Sequence, residues 1–153
     1  MIVYRICKAG YGDTAFAGAG GMEASGRWHH RGRPVVYAAQ TLSLAALEYL
    51  AHLGRRDTKA SFVWAQATIP DDIDVDIFDP ATLPGHWNTS PPIEATMALG
   101  TAWLDASRSA VLRVPSAVIE NEFNFVLNPR HPDFARILVS KPKAFSFDLR
   151  LVE

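Results

Sequence analysis

Residues 26–54, GRWHHRGRPVVYAAQTLSLAALEYLAHLG, run from a glycine-containing loop through a short strand into an amphipathic helix. The β-branched and aromatic content of residues 35–39 favours a strand. Thr41 is a preferred N-cap residue, and the apolar residues that follow it recur at helical spacing. This pattern predicts a helix over residues 42–53, with Gly54 as its C-terminal stop.

Around this unit the chain carries mostly strand patterns. Ser90 and Pro91 predict the start of a second helix that runs to about Ser107, since Ser caps helices and Pro is tolerated in the first turn. Residues 9–25 hold five of the ten glycines and predict an irregular segment. Apolar runs, continuous or alternating, predict further strands at 2–6, 62–69, 73–77, 111–114, 123–127, 137–139 and 145–151.

The predicted strands outnumber the helices and do not alternate with them regularly, which is typical of the α+β class. The 153 residues suffice for one hydrophobic core and are too few for two ordinary domains. We therefore expect a single domain over residues 1–153, with a compact, mixed, mainly antiparallel β-sheet core and a few helices.

Composition excludes several classes of protein. With 48% hydrophobic and 20% charged residues, the chain is neither disordered nor fibrous. Lys and Arg total 15 against 16 Asp and Glu, so no cationic excess drives nucleic-acid capture. Cys7 is the single cysteine in the sequence, which excludes an internal disulfide and a Cys-rich zinc site. Because no signal peptide or membrane-spanning run is evident, we expect a cytoplasmic location.

The charges are distributed unevenly along the chain. Residues 61–105 contain seven acidic and no basic side chains, whereas Arg27, Arg31 and Arg33 cluster beside the glycine-rich stretch. Such charge runs are commonly solvated surfaces. A site for a small anionic ligand at Arg27 is the alternative interpretation.

Most familiar motif chemistries are missing from the sequence. Neither GxGxxG nor GxxxxGK[ST] occurs in the required context, which disfavours both classes of nucleotide-binding loop. Residues 72–76 have the opening spacing of a calcium loop, but the turn glycine and the bidentate acid that should follow are absent. The five histidines lack metal-ligand spacing, so we expect no metal site. RNA cleavage by His29, His30 or His131 stays open as an alternative.

Arg27, Trp28, Tyr37 and Glu48 form the remaining candidate group. Glu48 lies off the apolar stripe of its predicted helix, so it does not serve the core. One interpretation is an ordinary exposed glutamate with His52 one turn further on. The other is that Arg27 binds a phosphate, Tyr37 stacks on a ligand ring and Glu48 supports positive charge on a sugar. The pattern alone leaves both interpretations open.

Residues 26–50 resemble the first half of the RES-domain family, the bacterial toxins of type II toxin–antitoxin pairs. The segment 109–134, SAVLRVPSAVIENEFNFVLNPRHPDF, is similar to the family's VPS segment and its Asn-Pro-x-His-Pro turn. FSFDLRL at 145–151 is similar to the family's C-terminal strand. The similarity extends from Tyr4 to Leu151 and keeps these motifs in the expected order.

This resemblance implies a fold akin to ADP-ribosyltransferases, with NAD as the substrate and no separate cofactor. Motif by motif, the family's catalytic positions fall on Arg27, Tyr37, Glu48 and Ser116. Ser116 would orient the ribose or the carboxamide of NAD. The implied contacts to NAD come from Arg5, Arg27, Trp28 and Tyr37.

The implied activity is cleavage of NAD at the nicotinamide–ribose bond, by hydrolysis or phosphorolysis, which depletes cellular NAD and arrests growth. ADP-ribosylation of a host protein is the alternative, and a sensor that binds NAD without cleaving it is another. The resemblance also implies an antitoxin with an Xre-like helix-turn-helix domain that covers the active site. A homodimer within that complex is one option that the sequence leaves open, and no direct contact to nucleic acid or membrane is expected.

Overall fold

The computed structural model describes residues 1–53 and 59–152. Within these ranges the chain forms eight strands and three α-helices. The strands are β1 (Ile2–Lys8), β2 (Val36–Ala39), β3 (Phe62–Thr68), β4 (Val75–Ile77), β5 (Val111–Pro115), β6 (Phe123–Leu127), β7 (Leu138–Val139) and β8 (Lys143–Phe145). The helices are α1 (Gly20–Glu23), α2 (Leu42–Leu53) and α3 (Glu94–Ala106).

The described strands all join one sheet in the order β4, β5, β6, β2, β1, β3, β7. β8 pairs with β3 on the same edge as β7, because β1 occupies the other edge of β3. β4 and β5 run parallel, and the other pairings among the described strands are antiparallel. The predicted α+β class with a mixed, mainly antiparallel sheet is confirmed.

The sheet consists of two halves, one with β4, β5, β6 and β2 and the other with β1, β3, β7 and β8. The two halves are joined only weakly, between β1 and β2. β1 pairs with β3 along its whole length, and β2 pairs with β6 along its whole length. Between β1 and β2, by contrast, the described residues share a single register pair, Tyr4 with Ala39. Arg5 lies just beyond that pair, and its Nη1 donates to the Tyr37 carbonyl oxygen at 2.9 Å. The two strands therefore diverge at this point, and Arg5 bridges the gap.

Alternation along β2 distributes its side chains between separate cores. Val36 and Ala38 face a core on one side of the sheet. Tyr37 faces the opposite side, where Trp103 of α3 is buried. Leu44 of α2 belongs to a third core, which also contains the end of β2. Both longer helices therefore pack on the sheet face that carries Tyr37.

The second long helix begins later than predicted. α3 starts at Glu94, with Ile93 as its N-cap residue, so Ser90 and Pro91 lie outside it. Pro91 is followed by another proline, and a residue before proline is disfavoured in the helical region. α3 has 13 residues and is the longest helix described, and no described helix has the length and apolar character needed to cross a membrane.

The predicted strand over 145–151 is wrong beyond Phe145. Residues Leu149–Leu151 form a 3-10 turn, and Leu149 is 73% exposed. The Asp148 side chain accepts from Arg150 N at 2.9 Å, a local bond that competes with extended backbone. The segment 9–25, predicted as irregular, contains a 3-10 turn and α1. Gly54, the predicted helix stop, lies outside the described residues.

Candidate active site

Glu48 lies on α2 and is held by donors from two other parts of the chain. The register of α2 is set at its start, where Thr41 Oγ1 accepts from Leu44 N at 3.0 Å. Glu48 Oε1 accepts from Ser116 Oγ at 2.6 Å and from Asn124 Nδ2 at 2.6 Å. Among the described residues, no hydrogen bond reaches Oε2. The carboxylate is thus restrained through one oxygen and leaves the other for a ligand.

Ser116 is buried in the turn that follows β5. Its Oγ accepts from Val118 N at 3.1 Å and from Ile119 N at 3.0 Å. Its hydroxyl proton is donated to Glu48. A serine hydroxyl has one donor and two acceptor positions, and the described residues use all three.

Arg27 lies in the loop that leads to β2. Its Nη1 donates to the carbonyl oxygens of Trp87 and Thr89, at 2.7 and 2.8 Å. Partial burial lowers the pKa of Arg27, and the charge of Glu48 acts in the opposite direction. The guanidinium stays cationic, since arginine does not lose its proton in proteins. It therefore places positive charge near Glu48 and ties the loop around residues 87–89 to the site.

Tyr37 is held in place by a network that includes His29. His29 Nε2 lies 2.8 Å from Ala24 O, which assigns the ring proton to Nε2 and makes Nδ1 an acceptor. Burial lowers the pKa of His29 and so favours this neutral ring. The Tyr37 hydroxyl then donates to Nδ1 at 2.7 Å and accepts from Trp28 N at 3.2 Å. Burial raises the pKa of Tyr37, so the hydroxyl keeps the proton that it donates.

Trp28 anchors the Arg27 loop to the protein core. Its indole is 2% exposed and packs against Phe78 and Trp87, with ring centroids 5.5 and 6.4 Å away. Gly100 of α3 lies against the Trp28 main chain so closely that a Cβ at Gly100 would have no room. The contact between Trp28 and NAD that the sequence implies stays a prediction.

The RES domain family profile matches residues 2–150. The chain belongs to the RES-domain family. A Photorhabdus laumondii protein named Toxin Res is 40% identical to it over 154 residues, which span 100% of this chain and 98% of that protein. A Sphingobium protein named Prs ADP-ribosylating toxin is 31% identical over 144 residues, which span 93% and 89%.

A solved structure of the M. tuberculosis MbcT–MbcA toxin–antitoxin complex contains a similar fold. It matches with a TM-score of 0.71 and 15% sequence identity, covering 95% of this chain and 84% of that one. At this identity the likeness concerns the fold alone. The predicted resemblance to the RES-domain family is confirmed, and the solved structure shares the predicted α+β fold.

The predicted catalytic residues of this RES domain meet in one region. Ser116 contacts Glu48 directly, and Glu48 and Tyr37 both act to raise the pKa of Arg27 against the effect of its burial. Arg5 is linked to these residues by its hydrogen bond to the Tyr37 carbonyl oxygen. These interactions link the four predicted residues, and their catalytic roles stay predictions.

Asn124 and His29 were missed by reasoning from the sequence. Asn124 is not among the site residues predicted from the sequence, and His29 enters there only as a candidate for RNA cleavage. The available signal for Asn124 was a polar side chain between Phe123 and Phe125 in an otherwise apolar strand. No comparable pattern marked His29, because its partners depend on how the loop before β2 folds.

The histidines proposed for RNA cleavage all have hydrogen-bond partners within the protein. His29 is 3% exposed and both of its ring nitrogens are engaged. His30 Nε2 lies 2.6 Å from Glu94 Oε1, and His131 Nδ1 accepts from Asp133 N at 3.1 Å. The described residues contain no group of three or more His, Cys, Asp or Glu side chains placed to hold a metal ion. The geometry therefore favours a site centred on Glu48.

Proposed function

We propose that this RES domain is the toxin of a toxin–antitoxin pair and that it cleaves NAD between nicotinamide and ribose. The observation that carries the proposal is the Glu48 carboxylate, oriented by Ser116 and Asn124 and placed near the positive charge of Arg27. Further support comes from the relative named Toxin Res and from the fold shared with one chain of a toxin–antitoxin complex.

The proposed reaction needs one well-placed carboxylate. The bond between ribose C1′ and the nicotinamide nitrogen breaks, and its electron pair goes to the nitrogen, so neutral nicotinamide leaves without a general acid. Positive charge develops on the ribose, as in glycoside cleavage. Glu48 Oε2 would stabilise that charge. Water that adds to C1′ and loses a proton yields ADP-ribose, whereas inorganic phosphate yields its 1-phosphate ester.

The other residues would bind and orient NAD. Arg27 would pair its remaining N–H groups with the pyrophosphate, while Nη1 keeps its loop carbonyls. The Tyr37 ring would pack on nicotinamide, since its hydroxyl is already held by His29. Arg5 is proposed as a second phosphate contact that also fixes the Tyr37 main chain. Ser116 has no hydrogen-bonding position left for substrate, so we assign it the orientation of Glu48.

Nicotinamide release from NAD tests this proposal directly. The purified chain, freed from any partner, is incubated with NAD in the presence and absence of phosphate. Glu48→Gln should lower the rate by roughly 100- to 1000-fold, the usual cost of losing one charge-stabilising contact. Glu23→Gln, at an exposed position on α1, makes the same chemical change on a different helix and should leave the rate unchanged. Equal rates for the two variants would contradict the proposal.

Transfer of ADP-ribose to a protein is a second candidate reaction. The observation that favours it is the 31% identical Sphingobium relative, whose name describes an ADP-ribosylating toxin. Labelled NAD incubated with the chain and a bacterial lysate would place label on a protein band if transfer occurs. Release of free ADP-ribose without labelled protein would instead support hydrolysis.

The proposed partner is an antitoxin with an Xre-like helix-turn-helix domain that covers the Glu48 site. A small protein encoded beside this chain and expressed with it should form a complex that survives gel filtration. The complex should release nicotinamide more slowly than the separated chain. A complex as active as the free chain would show that the partner binds elsewhere.

A further inference from the structure

Asn124 lies on β6, between β2 and β5 in the middle of one half of the sheet. Its register partners are Ala39 on β2 and Val114 on β5, both buried and apolar. A strand with ladder partners on both sides is a rigid support, more so than a loop. The polar amide at this position therefore needs an explanation other than packing.

The Asn124 amide is aimed at a single acceptor. Its Nδ2 donates to Glu48 Oε1 at 2.6 Å, and the two residues are 76 positions apart in the sequence. Ser116, 68 positions from Glu48, donates to the same oxygen from the turn after β5. Hydrogen bonds to a carboxylate are stronger than those between neutral groups. Two such donors from different elements fix the position of Oε1.

We propose that Asn124 is a positioning residue for the reaction at Glu48. By holding Oε1 together with Ser116, it turns Oε2 towards the place where the ribose charge develops. A glutamate side chain has three rotatable bonds, and one donor alone leaves rotation about the direction of that bond. The second donor removes this freedom before substrate arrives. This inference rests on the proposed cleavage of NAD.

The test is a double-variant cycle on nicotinamide release. Asn124→Ala should lower kcat by about 10- to 100-fold, the usual cost when a residue that orients a functional side chain is lost. KM for NAD should change little. In a Glu48→Ala background the same substitution should cause no further loss, because no carboxylate is left to orient. An equal fold-change in both backgrounds would overturn the proposal.

Asn128→Ala is the matched control. Asn128 follows the same strand, is 2% exposed and donates to the Leu104 carbonyl oxygen at 3.2 Å, without contact to Glu48. Its loss should destabilise the fold while kcat of the folded fraction stays near the wild-type value. A fall in kcat as large as that of Asn124→Ala would assign the effect to general destabilisation and overturn the proposal.

A second readout separates this inference from the proposed function. If the wild-type chain releases no nicotinamide under any condition, the proposed cleavage of NAD fails. The urea midpoints of wild type, Asn124→Ala, Glu48→Ala and the double variant then decide whether Asn124 holds Glu48. A double variant less destabilised than the sum of the single variants supports the contact, and strictly additive shifts overturn it.

Discussion

Replacement of Gly100 by alanine tests how closely α3 packs on the loop that carries Arg27. A Cβ at Gly100 would meet the Trp28 carbonyl oxygen and would lie 2.5 Å from the Trp28 carbonyl carbon and 2.8 Å from its Cα. Carbon atoms in favourable contact are about 3.5–4.0 Å apart. The helix or the loop must therefore move by about 1 Å, and both groups that have to yield are main chain.

The sign of the change in unfolding free energy shows whether backbone entropy or overpacking dominates at Gly100. In an open helix interior, Gly→Ala stabilises by roughly 0.5–1 kcal/mol through backbone entropy. Overpacking of a close contact costs about 1–3 kcal/mol. At Gly100 we expect the second effect to win and the free energy of unfolding to fall. Trp28 adjoins Arg27 and donates to the Tyr37 hydroxyl, so a shift of about 1 Å should also slow nicotinamide release by about 100-fold.

Urea unfolding and nicotinamide release measure the two effects separately. Gly20→Ala is the control, because a Cβ at Gly20 meets no other atom within 4 Å and should not destabilise the protein. If Gly100→Ala were as stable as the wild type or more stable, the close approach of α3 to Trp28 would be refuted. Loss of stability with an unchanged rate would refute only the coupling to the site.

Three further predictions concern the hydrogen bonds of the site. Ser116→Ala leaves two main-chain N–H groups without their acceptor, and urea unfolding should show a loss of about 1–3 kcal/mol together with slower nicotinamide release. Tyr37→Phe keeps the ring but removes the partner of Trp28 N and His29 Nδ1, so the unfolding free energy should fall by about 1–3 kcal/mol in a urea titration. Because burial lowers the pKa of His29, unfolded chains bind its proton more readily, and stability should decline as the pH falls below about 6.5. Unfolding curves for wild type and His29→Gln between neutral and mildly acidic pH check this, and an equal decline in both would contradict it.

The parts of the fold that depend on neighbours in the sequence were predicted well. α2 occupies residues Leu42–Leu53 as expected, because its cap and its apolar spacing are local properties. β6 likewise coincides with the predicted strand over 123–127. The start of α3 and the end of the chain were predicted wrongly. There, the effect of Pro92 on Pro91 and the bond of Asp148 to Arg150 N outweigh the broader pattern.

The sequence by itself determined the secondary structure type of most segments, the α+β class and, through family motifs, four residues of the candidate site. Only the tertiary structure decided how those residues are supported. Asn124 reaches Glu48 across 76 residues, and Arg27 reaches two carbonyls 60 and 62 residues away. Such contacts depend on strand order, on register and on the opening between β1 and β2. These follow from packing of the whole chain, because residues distant in sequence meet only when the sheet has formed.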